Sequence, residues 1–272
     1  MTTKTTIPTT NNPTTSAAET SLGEFGRIAR WFGPLAAGFS GARGLTDDAA
    51  VFGIPAGMEL VVTTDAMVAG VHFLPDDPPA DIAYKLLAVN LSDLAAKGAD
   101  PLAYSLALCL PKGTPDDWVA AFAAGLGEAQ ARFGVALSGG DSVSTRGTAV
   151  LSVTAMGVVP QGAAPSRDAG AGADGALICV TGTIGDGALG LACALGGLDW
   201  PNAEQRDYLL ERLRRPTPRL TAGLALRGLV LAAMDVSDGL LGDLAHMARA
   251  SGVAAEVDAG AVPLSAAAAA VL

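Results

Sequence analysis

The chain has 272 residues, enough for one large or two medium domains that each bury a core of their own. Half of the residues are hydrophobic but only 5% are aromatic, so that core is built mainly from Ala, Val and Leu. A formal charge of −10 argues against bare nucleic acid and anionic membrane as partners, and small anions would need metal ions as intermediaries.

The N-terminus has no basic-then-apolar signal pattern, and no apolar run reaches the roughly 18 uninterrupted residues of a membrane span. Cys109, Cys179 and Cys193 form no C-x-x-C pair. They read as buried free thiols in a reducing compartment, so the expected location is cytoplasmic.

Residues 1–20 are Thr-rich, with Pro8 and Pro13, and are expected to form a disordered tail. Phe25, Ile28, Ala29 and Phe32 then recur at helical spacing. A Gly-rich loop over 38–44 leads to Asp47-Asp48 and an expected strand over 49–52. A second strand over 60–64 is expected to end at Asp65, and Pro78-Pro79 opens a long helix over 80–97. Next come a strand over 102–110, a helix over 115–132, a strand over 135–137 that stops at a Gly139-Gly140 turn, and a strand over 149–159.

The Gly-, Ala- and Pro-rich stretch over 162–175 reads as a linker. Beyond it the expected order is strand (176–181), glycine turn, helix, charged helix (204–214), helix (218–229), strand (230–235), helix (240–250) and strand (253–257), with an alanine-rich helical start at 265–272. Strands and helices alternate in both halves, which predicts an α/β or α+β protein of two domains. The boundaries are a tail over 1–20, an N-terminal domain over 21–160 and a C-terminal domain over 161–272.

Five segments place aspartates at element ends or inside a helix: Asp47-Asp48, Thr63-Thr64-Asp65, Asn90-Leu91-Ser92-Asp93, Gly139-Gly140-Asp141 and Asp235-Val236-Ser237-Asp238-Gly239. With only two histidines in the chain, such a donor set suits a hard cation held by oxygen, magnesium before zinc. A magnesium site on an acidic protein is of most use for a polyanion such as a nucleoside triphosphate, so phosphoryl transfer is the leading chemistry. Asp93, between Leu91 and Leu94, needs a partner if buried. Two carboxylates about 4 Å apart repel by about 4 kcal/mol at an effective dielectric near 20, a penalty that a bound cation removes.

Other motifs are weaker. Residues 185–190 have the form GxGxxG between an expected strand and helix, but a charged helix stands where the ribose-binding acid belongs, so a tight turn is the preferred reading. No Walker A pattern occurs. His72 lies in a loop beside the aspartates, His246 reads as structural, and Arg167 lies in the linker where its donors are free to meet phosphate. Arg214-Arg215 and Arg219 read by default as a solvated basic turn, with contact to phosphate as the alternative.

Gly23-Glu24-Phe25, Thr63-Thr64-Asp65 with Gly70-Val71-His72-Phe73, Asn90-Leu91-Ser92-Asp93-Leu94-Ala95-Ala96, Gly139-Gly140-Asp141, Arg215-Pro216-Thr217-Pro218-Arg219 and Asp235-Val236-Ser237-Asp238-Gly239-Leu240 resemble, in order, the thiamine-monophosphate kinase family. The resemblance runs from about residue 22 to 264. It implies the two-domain fold of aminoimidazole ribonucleotide synthetase, a homodimer joined through the N-terminal sheets, and ATP-dependent phosphorylation of thiamine monophosphate to thiamine diphosphate. Carried over by position, Asp48, Thr63, Thr64, Asp65, Asp93, Asp141, Asp235 and Asp238 would hold magnesium. Gly140, Arg167 and Ser237 would contact ATP, and His72 would face the thiamine phosphate. No side-chain nucleophile is implied.

Thr46 stands where the family usually has a glycine, and the segment after Asp141 is longer than its common form. The chain ends before the family's Gly-Gly-Glu-Asp segment and last strands. The second domain is therefore expected to be incomplete, with nucleotide binding kept and thiamine monophosphate held poorly. The alternatives are another ATP-using enzyme of the superfamily or a non-catalytic nucleotide-binding remnant.

Overall fold

The computed structural model describes residues 22–197 and 202–271; the expected tail over 1–20 lies outside them. The first helical run starts as α1 (Glu24–Arg27) and continues as a π turn (Ile28–Phe32) and a 3-10 turn (Gly33–Ala36). Its Phe32 is buried while Phe25 is 83% exposed.

Four strands form one sheet in the order β1-β4-β2-β3: β1 (Met58–Val68), β2 (Asp100–Pro111), β3 (Ala136–Thr145) and β4 (Val150–Pro160). β4 pairs antiparallel with β1 and β2, and β2 pairs parallel with β3. Two helices of equal length, α2 (Pro79–Ala96) and α3 (Asp116–Phe133), supply much of the core opposite the sheet. α2 starts with Pro79 in its first turn, where the missing N–H costs nothing. It buries Ile82, Tyr84, Leu86, Leu87, Leu91 and Leu94, which with Tyr104, Phe122, Leu126 and Leu151 form the core. The opposite face of the sheet is open at β1, where Leu60 and Val62 are 44% and 54% exposed.

The later helices are α4 (Asp186–Ala194), α5 (Ala203–Arg214), α6 (Leu220–Ala225), α7 (Leu240–Ser251) and α8 (Ala266–Ala269). The basic turn after α5 is not a solvated charge run. Arg214 pairs with buried Asp77 at 2.8 Å, and Arg215 reaches Asp81 and Glu128 at 2.6 Å each while lying over the Tyr84 ring. These pairs, with Arg227 on Asp100 at 2.7 Å, bind the second half of the chain to α2, α3 and the start of β2.

Several expected boundaries change. Asp65 lies inside β1 rather than at a strand end, and Gly139-Gly140 lies inside β3 rather than in a turn. In both places a long ladder outweighs the local turn signal. Residues 49–52, 176–181, 230–235 and 253–257 carry strand-like apolar runs but form no strand. A strand exists only as part of a ladder, and no ladder among the described residues reaches these segments; Leu177 is left 91% exposed. The helix expected over 218–229 shortens to α6, and the one at 265–272 to the four residues of α8. The cysteines are free, but none is buried: Cys179 is exposed, and Cys109 and Cys193 are intermediate.

Candidate active site

Strand alternation decides which β1 side chains can meet α2. Val61, Thr63, Asp65 and Met67 share the face towards the helices, while Leu60, Val62, Thr64 and Ala66 point to the open face. The Thr63 hydroxyl donates to Asp93 Oδ2 at 2.5 Å, and the Asp65 backbone N–H donates to Asn90 Oδ1 at 2.9 Å. Asn90 is fully buried, and its amide also donates to the Leu86 carbonyl, so a saturated polar contact aligns helix and strand.

This alignment sets Asp65 beside Asp93, and Asp235 of the second half joins them. Burial pushes the Asp65 carboxyl above the ordinary carboxylate range, the negative charge of Asp93 adds to the shift, and His72 opposes it. Asp235 is raised for the same two reasons, burial first and Asp93 next, against a hydrogen bond from Ser92. Asp93 therefore lies near both Asp65 and Asp235, where β1, α2 and the segment before α7 meet.

An open cavity of about 890 Å³ lies along this cluster. It is lined by the apolar Leu60, Val61, Val62 and Val159 and by the polar Glu59, Thr63, Asp93, Lys97 and Arg167. Sequence reasoning missed Lys97, although its position four residues after Asp93 places both on one helix face. It also missed Asp243, a buried carboxylate whose Oδ2 accepts from the backbone N–H groups of Ser237, Asp238 and Gly239 at 2.9, 3.1 and 3.2 Å. An acid in the first turn of α7 was the available signal. Asp243 fixes the loop that presents Ser237 and Asp238, both of which are exposed.

Most other candidates stand apart from the cluster within one chain. Thr64 is on the open face, with its hydroxyl 2.9 Å from that of Thr154. Asp65 lies opposite Val153, Val153 opposite Leu106 and Leu106 opposite Gly140, so Asp65 and Gly140 are three strand spacings apart, about 14 Å. Asp141, the next residue, is exposed and lies opposite Ala107. Gly140 runs so close to β2 that any Cβ would collide with the Leu106 carbonyl oxygen. Asp48 sits in an exposed bend where its N–H bonds to Asp47, itself paired with Arg43. His72 follows β1, and its Nδ1 accepts from the Val68 N–H at 3.1 Å, which leaves Nε2 as the outward nitrogen. His246 is exposed, with its Nδ1 3.1 Å from Arg249 Nη2.

The 185–190 turn is structural. Gly185 takes φ +97°, and the Asp186 side chain is buried, accepting from the hydroxyls of Thr183, Ser265 and Tyr208 at 2.5, 2.5 and 3.1 Å.

The donor chemistry fits magnesium: Thr63, Asp65, Asp93 and Asp235 offer hard oxygens, and the charge of Asp93 opposes those of Asp65 and Asp235 without a cation. Among the described residues no three His, Cys, Asp or Glu side chains close a metal site by themselves. Magnesium characteristically completes such a partial shell with water and substrate phosphates.

The chain matches the domain families described as AIR synthase related protein, N-terminal domain, over residues 46–159 and C-terminal domain over 173–271. The thiamine-monophosphate kinase of Salmonella typhimurium (strain LT2) is 45% identical over 246 residues, which span 90% of this chain and 74% of that protein. The chain belongs to the thiamine-monophosphate kinase family. The solved structure of the family member from Stenotrophomonas maltophilia K279a is 45% identical, with a TM-score of 0.73 over 82% of this chain and 70% of its own. A further family structure, AaThiL complexed with AMPPCP and TMP, is 30% identical with a TM-score of 0.70, over 81% of this chain and 69% of that one. No helix among the described residues is long and apolar enough to cross a membrane.

Proposed function

We propose that the cavity beside Asp65, Asp93 and Asp235 is the site of phosphoryl transfer from ATP to thiamine monophosphate, giving thiamine diphosphate. The enzyme is a thiamine-phosphate kinase. The observation that carries this reading is that Asp93, which lines the cavity with Lys97 and Arg167, acts by its charge on both Asp65 of β1 and Asp235 of the second half.

Thr63, Asp65, Asp93 and Asp235 would hold magnesium, with Asp238 presented by the Asp243-fixed loop. When bound, the metal neutralises charge on the transferring phosphate. The chain's own groups do the positioning. Arg167 and the Ser237 loop face the nucleotide, and His72, with Nδ1 occupied by the Val68 N–H, turns Nε2 to the acceptor phosphate. Transfer then depends on alignment and charge stabilisation, with no side-chain nucleophile.

Asp48, Thr64, Gly140 and Asp141 belong to the same proposal through a homodimer. Pairing of the open sheet faces of two copies would cover Leu60 and Val62 and carry Asp141 of one copy towards the other's cluster. The domains are assigned as 21–160, holding the sheet and most of the magnesium donors, and 161–272, supplying Arg167, Asp235, Ser237 and Asp238.

A coupled ADP-release assay with several acceptors tests the reading. Release that depends on thiamine monophosphate and magnesium is expected. Nucleotide binding without acceptor-dependent release would identify a non-catalytic chain, and release with a different acceptor would identify another enzyme of the superfamily.

A further inference from the structure

Lys97 closes α2, four residues after Asp93, and its Nζ donates to the Pro165 carbonyl at 3.0 Å. An ammonium has three donors, so this bond leaves two for the cavity that Lys97 lines together with Arg167. The Pro165 carbonyl is two residues from Arg167, so the same contact holds the Arg167 segment against the end of α2. Arg167 is close enough to oppose the protonated form of Lys97, in addition to the larger effect of burial, while Asp93 and Asp235 favour it. Lys97 and Arg167 line the cavity together with the Glu59 and Asp93 carboxylates and several apolar residues, so a polyanion that arrives with its own magnesium meets two cations there while the metal offsets the carboxylates.

Position along β1 distinguishes the two phosphorylated substrates. The cavity follows residues 59–63, whereas His72 lies beyond Val68 at the other end of the strand. Five residues of extended chain separate Thr63 from Val68, about 17 Å. A phosphate held by Lys97 therefore lies on the Thr63 side of Asp65 and His72 on its Val68 side, so the two phosphates would meet at Asp65.

We propose that Lys97 is a nucleotide-binding residue, which with Arg167 grips the phosphate oxygens of the nucleoside triphosphate and takes no part in holding the acceptor. This inference rests on the reading of the cavity as the ATP site. The opposing account is that Lys97 only props the Arg167 segment through the Pro165 carbonyl.

The experiment compares the full chain with Lys97→Met and Lys97→Arg. Binding of a non-hydrolysable ATP analogue and of adenosine is followed by calorimetry, KM is measured for both substrates, and limited proteolysis probes residues 162–175. In Lys97→Met we expect at least a tenfold weaker analogue Kd and a similar rise in KM for ATP. KM for thiamine monophosphate should stay within about twofold, adenosine binding should be unchanged, and Lys97→Arg should recover most of the loss. Unchanged analogue affinity in Lys97→Met overturns the proposal. So does a parallel weakening of adenosine and analogue with faster cleavage at 162–175, which would identify a prop. If the parent chain binds the analogue but transfers no phosphate, the kinase reading fails while the Lys97 comparison still stands on its binding data.

Discussion

The Thr63 hydroxyl on β1 and the Asp93 carboxylate on α2 share a 2.5 Å hydrogen bond, joining the strand and the helix that carry the cluster. Thr63 satisfies one carboxylate oxygen of Asp93, whose charge also acts on Asp65 and Asp235. Asp93→Asn and Asp65→Asn each remove a ligand charge without removing packing volume. Turnover in either variant is expected to fall by about three orders of magnitude, the scale on which such charge stabilisation acts, with native circular dichroism. Near-parent rates at moderate magnesium would refute the assignment of the site.

Magnesium should stabilise the chain, because the native state gathers charges that the unfolded chain keeps apart. With magnesium at 100 times its dissociation constant, linkage gives about 2.7 kcal/mol and a higher Tm. A thermal melt across millimolar magnesium measures this, and Asp93→Asn should show a reduced shift. An unchanged Tm in the parent chain would count against a cluster that exists before substrate binds.

In the presence of a chelator the same carboxylates should make stability fall as pH rises. Burial holds Asp65 and Asp235 above their ordinary value of 3.8, so the native state binds protons more readily than the unfolded chain. The resulting stability is complete below 3.8 and is lost as pH rises through the raised values. Asp65→Asn and Asp235→Asn should therefore melt above the parent at pH 7, with the difference narrowing as pH falls to about 4. A difference that does not vary with pH would show that repulsion and burial at these two groups are not its source.

Asn90 has no contact with the cavity, yet its loss should be costly. Asn90→Ala leaves the Asp65 N–H without its partner and opens a void in a fully buried site. A loss of about 2–4 kcal/mol in urea unfolding is expected. A loss below about 1 kcal/mol would mean that water or a shifted strand replaces the contact.

Arg215 couples the two halves through Asp81, Glu128 and the Tyr84 ring. Arg215→Leu strands Asp81, which is only 19% exposed, and should destabilise the chain by about 2 kcal/mol. The pair with Glu128 is solvated and should contribute little. A double-mutant cycle of Arg215 with Asp81 and with Glu128 checks this order; equal coupling in both cycles would contradict it.

Much of this protein was legible in its sequence. The helix expected over 80–97 is Pro79–Ala96, and that expected over 115–132 is Asp116–Phe133, because a helix makes its hydrogen bonds within a few residues and local spacing is enough to specify it. The family could be read for a related reason, since its motifs are short runs of chemistry such as Asn90-Leu91-Ser92-Asp93. Strands were different, because their hydrogen bonds come from distant parts of the chain. Only the registers of β1 with β4, β4 with β2 and β2 with β3 show that Asp65 is inside a strand, that Thr63 and Thr64 face opposite sides of it, and that Gly140 lies three strand spacings away. The apolar runs in the second half look like strands, but without a ladder they form none. The tertiary fold also decided the electrostatics: it brought Asp235 to Asp93, set Lys97 and Arg167 around one cavity, and turned an expected solvated basic turn into ion pairs with Asp77, Asp81 and Glu128. Charges act through space, and their neighbours in space are settled only when the chain has folded.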